Sequence, residues 1–155
     1  MQGVSNVGVQ FSGGDDMNPV AEWNAIIQTV LNHYPDVQAI YLFGSYGTED
    51  EWPDSDVDIA LLLPPRRATD TEYLPMSDLC IELMVLLNKN VDLINLRRVP
   101  TVLQKEIVVS DRRIYHTDEY AADEFEMLTL SYYQKLNEER AEIVRDALAT
   151  GRFIA

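Results

Sequence analysis

The apolar residues of this chain fall into two rhythms. Ala39-Ile40-Tyr41-Leu42-Phe43, Ile59-Ala60-Leu61-Leu62-Leu63 and Val91 to Leu96 are short apolar runs bounded by turn residues, the pattern of buried strands. They predict strands over 37–43, 56–63 and 91–96, with a short last strand from Arg112 to His116. Elsewhere apolar positions recur at helical spacing. Asn18 as N-cap and Pro19 in the first turn start a helix that Pro35 ends, with Val20, Trp23, Ile27, Val30 and Leu31 on one face. A second helix runs from Met76 to Leu87 through Leu79, Leu83, Leu86 and Leu87. A third runs from Pro100 to about Ser110, with Val102, Leu103, Ile107 and Val108 apolar. A long helical stretch follows from Asp118 to about Ala149, with a broken apolar face of Phe125, Leu128, Tyr132, Leu136, Ile143 and Val144, and Gly151 ends it. Residues 1–17 carry four glycines among small and polar residues and predict a flexible arm. Alternating Val7, Val9 and Phe11 are a weaker sign of an edge strand. Residues 18–155 predict one α/β (α+β) domain, a small mixed sheet flanked by helices.

Composition narrows the function classes. The chain has 155 residues, which suits one domain burying roughly 70% of its unfolded surface. The net charge is −14, and setting aside Asp56, Asp58 and Asp92 leaves −11. Such a surface repels a phosphate backbone, so a long nucleic acid is excluded as substrate. It favours solubility or a basic protein partner. The single cysteine, Cys80, rules out an internal disulfide and points weakly to a reducing, cytoplasmic setting. Its apolar surroundings mark it as a small core hydrophobe. No apolar run is long enough to span a membrane, and the first sixteen residues lack the basic start and apolar stretch of a signal peptide. His33 and His116 have no ligand partner at useful spacing.

The candidate chemistry lies in Gly44 to Asp58, GSYGTEDEWPDSDVD. Gly-Ser stands at the mouth of the first predicted strand. Asp56 and Asp58 stand at the start of the second, on one face, while Val57 and Ile59 point to the other. Two carboxylates held side by side repel each other unless a cation or a shared proton lies between them. An all-oxygen set suits Mg²⁺ or Mn²⁺, which completes its shell with water and substrate phosphates. Gly44 lets the backbone approach a phosphate, and Ser45 offers a hydroxyl. Either half alone is a common structural turn or strand end. Together, each flanked by an apolar strand, they read as a phosphate-and-metal site. Ser45 to Asp50 predicts a short helix or turn, and Glu51 to Ser55 a loop in which Trp52 either stacks on a base or is simply exposed. Glu49, Asp50, Glu51 and Asp54 read as solvated loop acids. Arg66 and Arg67 read as a loose basic loop, and Arg97 and Arg98 stay open.

The spacing Gly-Ser, ten residues, Asp-Val-Asp between two strands resembles the signature of the polymerase-β-type nucleotidyltransferase superfamily. The short chain is similar to its minimal members, the MntA-like antitoxins of HEPN-domain toxins. The likeness extends in general pattern over residues 20–148, through Asn90 to Arg97, Val102-Leu103 and Ile114-Tyr115. Tyr46-Gly47-Thr48 depart from the arginine-containing turn common in such proteins. The resemblance implies transfer of AMP from ATP, with two Mg²⁺ ions held by Asp56 and Asp58 and with the triphosphate tail held by Gly44 and Ser45. A lone strand aspartate is usually a surface residue, but the third strand of this fold lies beside the second. The resemblance therefore implies that Asp92 joins the metal ligands and helps deprotonate the acceptor. It further implies that the acceptor is a tyrosine of a HEPN RNase toxin made from a neighbouring gene, in a hetero-oligomer. Rival readings are a binding-only antitoxin, an antibiotic-modifying nucleotidyltransferase, and a structural subunit with a relic site. Tyr120, Tyr132 and Tyr133 lie on the long, mostly acidic helix and offer a docking surface for a basic helical partner, although Tyr132 is expected to pack on its own domain.

Overall fold

A computed structural model describes residues 19–66 and 73–151, so the arm at 1–17 and Arg67 lie outside the described residues. The elements in chain order are α1 (Pro19–His33), β1 (Ala39–Phe43), β2 (Val57–Leu62), α2 (Asp78–Leu87), β3 (Val91–Asn95), α3 (Thr101–Val109), β4 (Arg113–His116) and α4 (Glu119–Thr150). These are the predicted elements with ends shifted by a residue or two. The second helix starts later than Met76 because Leu74–Met76 form a separate 3₁₀ turn, and Ser77 caps α2 by accepting from the Cys80 N–H. Gly151 closes α4 in the left-handed conformation.

The four strands form one mixed sheet in the order β3-β2-β1-β4. β1 pairs antiparallel with β2 and with β4, while β2 and β3 run parallel, joined by the crossover through α2. Helices cover both faces. Val57, Ile59 and Leu61 of β2 pack with Ile40, Leu42, Leu93 and the apolar faces of α1 and α2. Ala60 and Leu62 pack with Ala39, Tyr41, Leu96, Ile107 of α3 and Ala122 of α4. A strand covered on both sides needs apolar residues at every position, which is why these runs are continuous rather than alternating. Cys80 is buried in the first core.

The start of α4 is tied to the sheet by polar contacts across an apolar layer. The Tyr41 hydroxyl, on a buried ring, donates to Glu126 Oε2 at 2.6 Å. Arg113 donates to the same oxygen at 3.0 Å and to Asp123 at 3.1 Å. The Arg97 guanidinium lies 5.4 Å from the Phe125 ring centroid, and Lys105 Nζ lies 4.7 Å from that of Tyr133. The expected inward tyrosine is therefore corrected: Tyr133 packs on the domain, whereas Tyr132 is 64% exposed. A shift of one position turns a helical side chain by about 100°, enough to exchange the two. The predicted apolar face of α4 also fails beyond Phe125, since Leu128, Leu136, Ile143 and Val144 are all exposed.

Burial and the neighbouring Glu126 carboxylate raise the Tyr41 phenol above its ordinary range, so Tyr41 stays a donor at all working pH values. Tyr41→Phe removes one hydrogen bond to a charged acceptor and should lower stability by about 1.5 kcal/mol in urea unfolding. The sheet itself stays intact by far-UV circular dichroism.

Candidate active site

The end of β1 and the start of β2 meet at one point. Phe43 pairs with Asp58 across the antiparallel register, which sets Gly44 directly beside the Asp58 side chain. A Cβ on Gly44 would lie 2.0 Å from Asp58 Oδ2, and the residue has φ +74°. Both facts demand glycine here. The Gly44-Ser45 turn and the aspartate are thus one packed unit.

The parallel register then brings in the third carboxylate, since Asp58 pairs with Asp92 of β3. Asp58 is half-buried, and Asp56, one residue before β2, and Asp92 are exposed. Burial, then the charge of Asp92, then that of Asp56 raise the Asp58 carboxyl to about 6. The three acids share one electrostatic environment at one end of the sheet. Among the described residues no three His, Cys, Asp or Glu groups form a ready-made metal cage. The donor set is instead open and all-oxygen, which fits an ion that brings water and phosphate oxygens with it.

Beneath the turn lies a residue that sequence reading passed over. Arg112, just before β4, donates from Nη1 to the Gly44 carbonyl at 3.0 Å and from Nη2 to the Tyr46 carbonyl. The β1–β4 pairing delivers it, with the Leu42 N–H donating to the Arg112 carbonyl. Tyr46 itself is core: its ring is buried with the α1 side chains and its hydroxyl donates to Glu22 of α1.

The loop acids divide. Glu49, Asp50 and Asp54 are exposed as expected. Glu51 departs from that reading. Its carboxylate accepts from the Gly47 N–H at 2.9 Å and lies 3.5 Å from Lys89 Nζ. No local pattern marks it, because both partners depend on how the turn folds back. Trp52 is 72% exposed at the loop tip. Two of the open arginines lie at the far end of the sheet. Arg66 pairs with Asp36 at 3.2 Å, and Arg97 donates to the Leu63 carbonyl and the Gln38 side chain. Neither is near the carboxylates.

The raised Asp58 pKa gives a pH test with a defined sign. Protonation is favoured in the fold, so this group's contribution is fully present below the ordinary value of 3.8 and is lost as pH rises through about 6. Metal-free Asp58→Asn, which cannot ionise, should therefore melt above wild type at pH 7.5. The gap should close by about pH 4 in thermal scans.

Comparison with known proteins identifies the family. The family described as Polymerase beta, Nucleotidyltransferase matches residues 25–120, from α1 through β4. The protein adenylyltransferase MntA of Shewanella oneidensis is 37% identical over 128 residues, covering 81% of this chain and 87% of that protein. A toxin–antitoxin crystal structure with AMP-PNP superposes with a TM-score of 0.65 at 33% identity, covering 81% of this chain and 98% of its own. The structure of a tri-AMPylated Shewanella oneidensis HEPN toxin in complex with its MNT antitoxin superposes with a TM-score of 0.61 at 33% identity, covering 82% and 96%. Because the matched span contains the whole strand pair together with its turn and its carboxylates, the likeness reaches beyond the fold: the chain belongs to the polymerase-β nucleotidyltransferase family.

Proposed function

We propose that this chain is an antitoxin that transfers AMP from ATP to a tyrosine hydroxyl of a HEPN RNase toxin, releasing pyrophosphate. The observation that carries this reading is the register that sets Asp58 beside both Gly44 and Asp92. It joins a phosphate-holding turn to a cluster of carboxylates with no bulky side chain between them. The relatives support the chemistry, since one is named a protein adenylyltransferase, one holds an ATP analogue and one stands beside an AMPylated toxin.

In this reading Gly44 and Ser45 hold the triphosphate tail. Asp56 and Asp58, joined by Asp92, hold divalent cations, two Mg²⁺ ions for which Mn²⁺ can substitute. Such ions, when bound, neutralise the phosphate charge that the acids alone would repel. The acceptor oxygen attacks the α-phosphorus in line, the bond to the β-phosphate bridging oxygen breaks, and pyrophosphate leaves with that electron pair. In the same reading Asp92, exposed at the start of β3, helps deprotonate the acceptor hydroxyl. Most of the protein's work is positioning and charge stabilisation. The acceptor itself must come from outside the sheet. Tyr120, Tyr132 and the exposed apolar residues of distal α4 give the partner contact area, with the acidic charge of the chain steering a basic surface toward it.

Asp56→Asn and Asp58→Asn should each lower the transfer rate by at least about 10²–10³ with the fold intact, and Asp92→Asn should also be impaired. Near wild-type transfer by both single variants would misplace the site. Binding of AMP-PNP, followed by calorimetry, should require Mg²⁺ or Mn²⁺. Equal binding in excess EDTA would remove the cation from the reading. Incubation with ATP, Mg²⁺ and the HEPN product of the neighbouring gene should add AMP-sized masses to a partner tyrosine, and Asp56→Asn should abolish them. A partner that stays unmodified yet is inhibited equally by wild type and Asp56→Asn would leave the binding-only antitoxin as the function.

A further inference from the structure

The carbonyl oxygens of Gly44, Ser45 and Tyr46 are all engaged within the protein. Gly44 and Tyr46 carbonyls accept from the one guanidinium of Arg112. The Ser45 carbonyl between them accepts from the Thr48 N–H at 2.9 Å and from its hydroxyl at 2.6 Å. Gly44 and Gly47 both have φ in the left-handed region, and a Cβ on Gly47 would lie 3.0 Å from Arg112 Nη2. The guanidinium thus fills the space that a side chain at 47 would need. We propose that Arg112 is the positioning residue of the phosphate turn. It draws the carbonyls of Gly44 and Tyr46 inward and leaves the Ser45 hydroxyl and the N–H groups of Ser45 and Tyr46 to meet the terminal phosphates of the nucleotide.

The assignment rests on the nucleotidyl-transfer reading of this site and on three physical points. Carbonyl oxygens are the part of a turn that repels phosphate, and two of them here are held by a cation. The planar fork of an arginine presents two donors in fixed geometry to two acceptors, whereas a lysine offers a point charge on a flexible stem. The presented face also already takes an anionic oxygen, because the Gly47 N–H donates to the Glu51 carboxylate. Arg112 keeps its charge although burial lowers its pKa, so the turn rests on a positive group that is only partly screened by water.

The test compares Arg112→Gln, Arg112→Lys and Gly47→Ala with wild type, all with Mg²⁺ and the HEPN partner. Losing a contact made equally in the ground and transition states raises KM and spares kcat. In Arg112→Gln the KM for ATP should rise about tenfold or more while kcat stays within about threefold. The inhibition constant of inorganic tripolyphosphate should rise by the same factor, and that of AMP, which lacks the terminal phosphates, should not move. Arg112→Lys should be intermediate. Gly47→Ala, which strains the left-handed turn as well as crowding the guanidinium, should also weaken tripolyphosphate more than AMP. Unchanged tripolyphosphate affinity in folded Arg112 variants would overturn the proposal, as would equal weakening of AMP and tripolyphosphate. If Arg112→Gln does not fold, Arg112→Lys decides by the same ratio. If wild type transfers no AMP, the transferase reading fails by itself, and calorimetry with Mg²⁺-tripolyphosphate still decides the role of Arg112.

Discussion

Gly44 and Asp58 compete for the same space, and the site depends on how that is resolved. The antiparallel pairing of β1 with β2 forces them together, since Phe43 lies opposite Asp58. Only a residue without a Cβ, free to adopt a left-handed φ, fits beside the Asp58 carboxylate. Burial at this strand end takes water away from Asp58 and, with the charges of Asp92 and Asp56, raises its pKa. Parallel pairing with β3 then adds Asp92 at the same level. Turn, half-buried carboxylate and third acid are therefore set by two strand registers. A one-residue slip in either register would reverse which residues face the site.

The carboxylate cluster is costly when no cation is bound. Asp58 carries the largest part of this cost because it is the least hydrated of the three acids. Burial at the sheet end meets it: Val57, Ile59, Ala60, Leu61 and Leu62 are all buried within five residues of Asp56 or Asp58. An apolar strand covered on both faces can hold a repulsive charge at its mouth, because the register is too well specified to relax. The glycine turn and the three carboxylates gather where β1 ends and where β2 and β3 begin. Arg66 and Arg97 serve the opposite end by tying loops to strand termini.

Local pattern carried much of this into view. The three apolar runs are continuous because both faces are covered, and that is visible in sequence. Gly44, Ser45, Asp56 and Asp58 stand out because the chain brackets them with two such runs. Asp92 needed more than pattern, since its meaning depends on β3 lying beside β2. Arg112 and Glu51 were not legible. Arg112 reaches the turn across 68 positions of sequence, through the β1–β4 pairing, and neither its neighbours nor its spacing mark it. Glu51 sits among three other acids that are indeed solvated, and only the fold of the turn singles it out. The apolar pattern favours Tyr132 over Tyr133, because the α3 packing that selects Tyr133 instead is not periodic in α4 itself.

The distal half of α4 follows from the same economy of contacts. The sheet has four strands, and α3 with the first turns of α4 is enough to cover its second face. Ala122 and Thr129 are the buried residues of α4, so most of the helix beyond them extends past its own domain. A helix with Leu136, Ile143, Val144 and Leu148 exposed, at a spacing that keeps several on one side, gains little stability from its own chain. It is capped and holds its shape, but its apolar positions have no counterpart in the domain. In the proposed transfer the acceptor comes from another molecule, because β1 to β3 are assigned the nucleotide side of the reaction. The exposed helix and the proposed reaction then make the same demand: one partner that lies along α4 and presents its hydroxyl beside Asp92 would serve both.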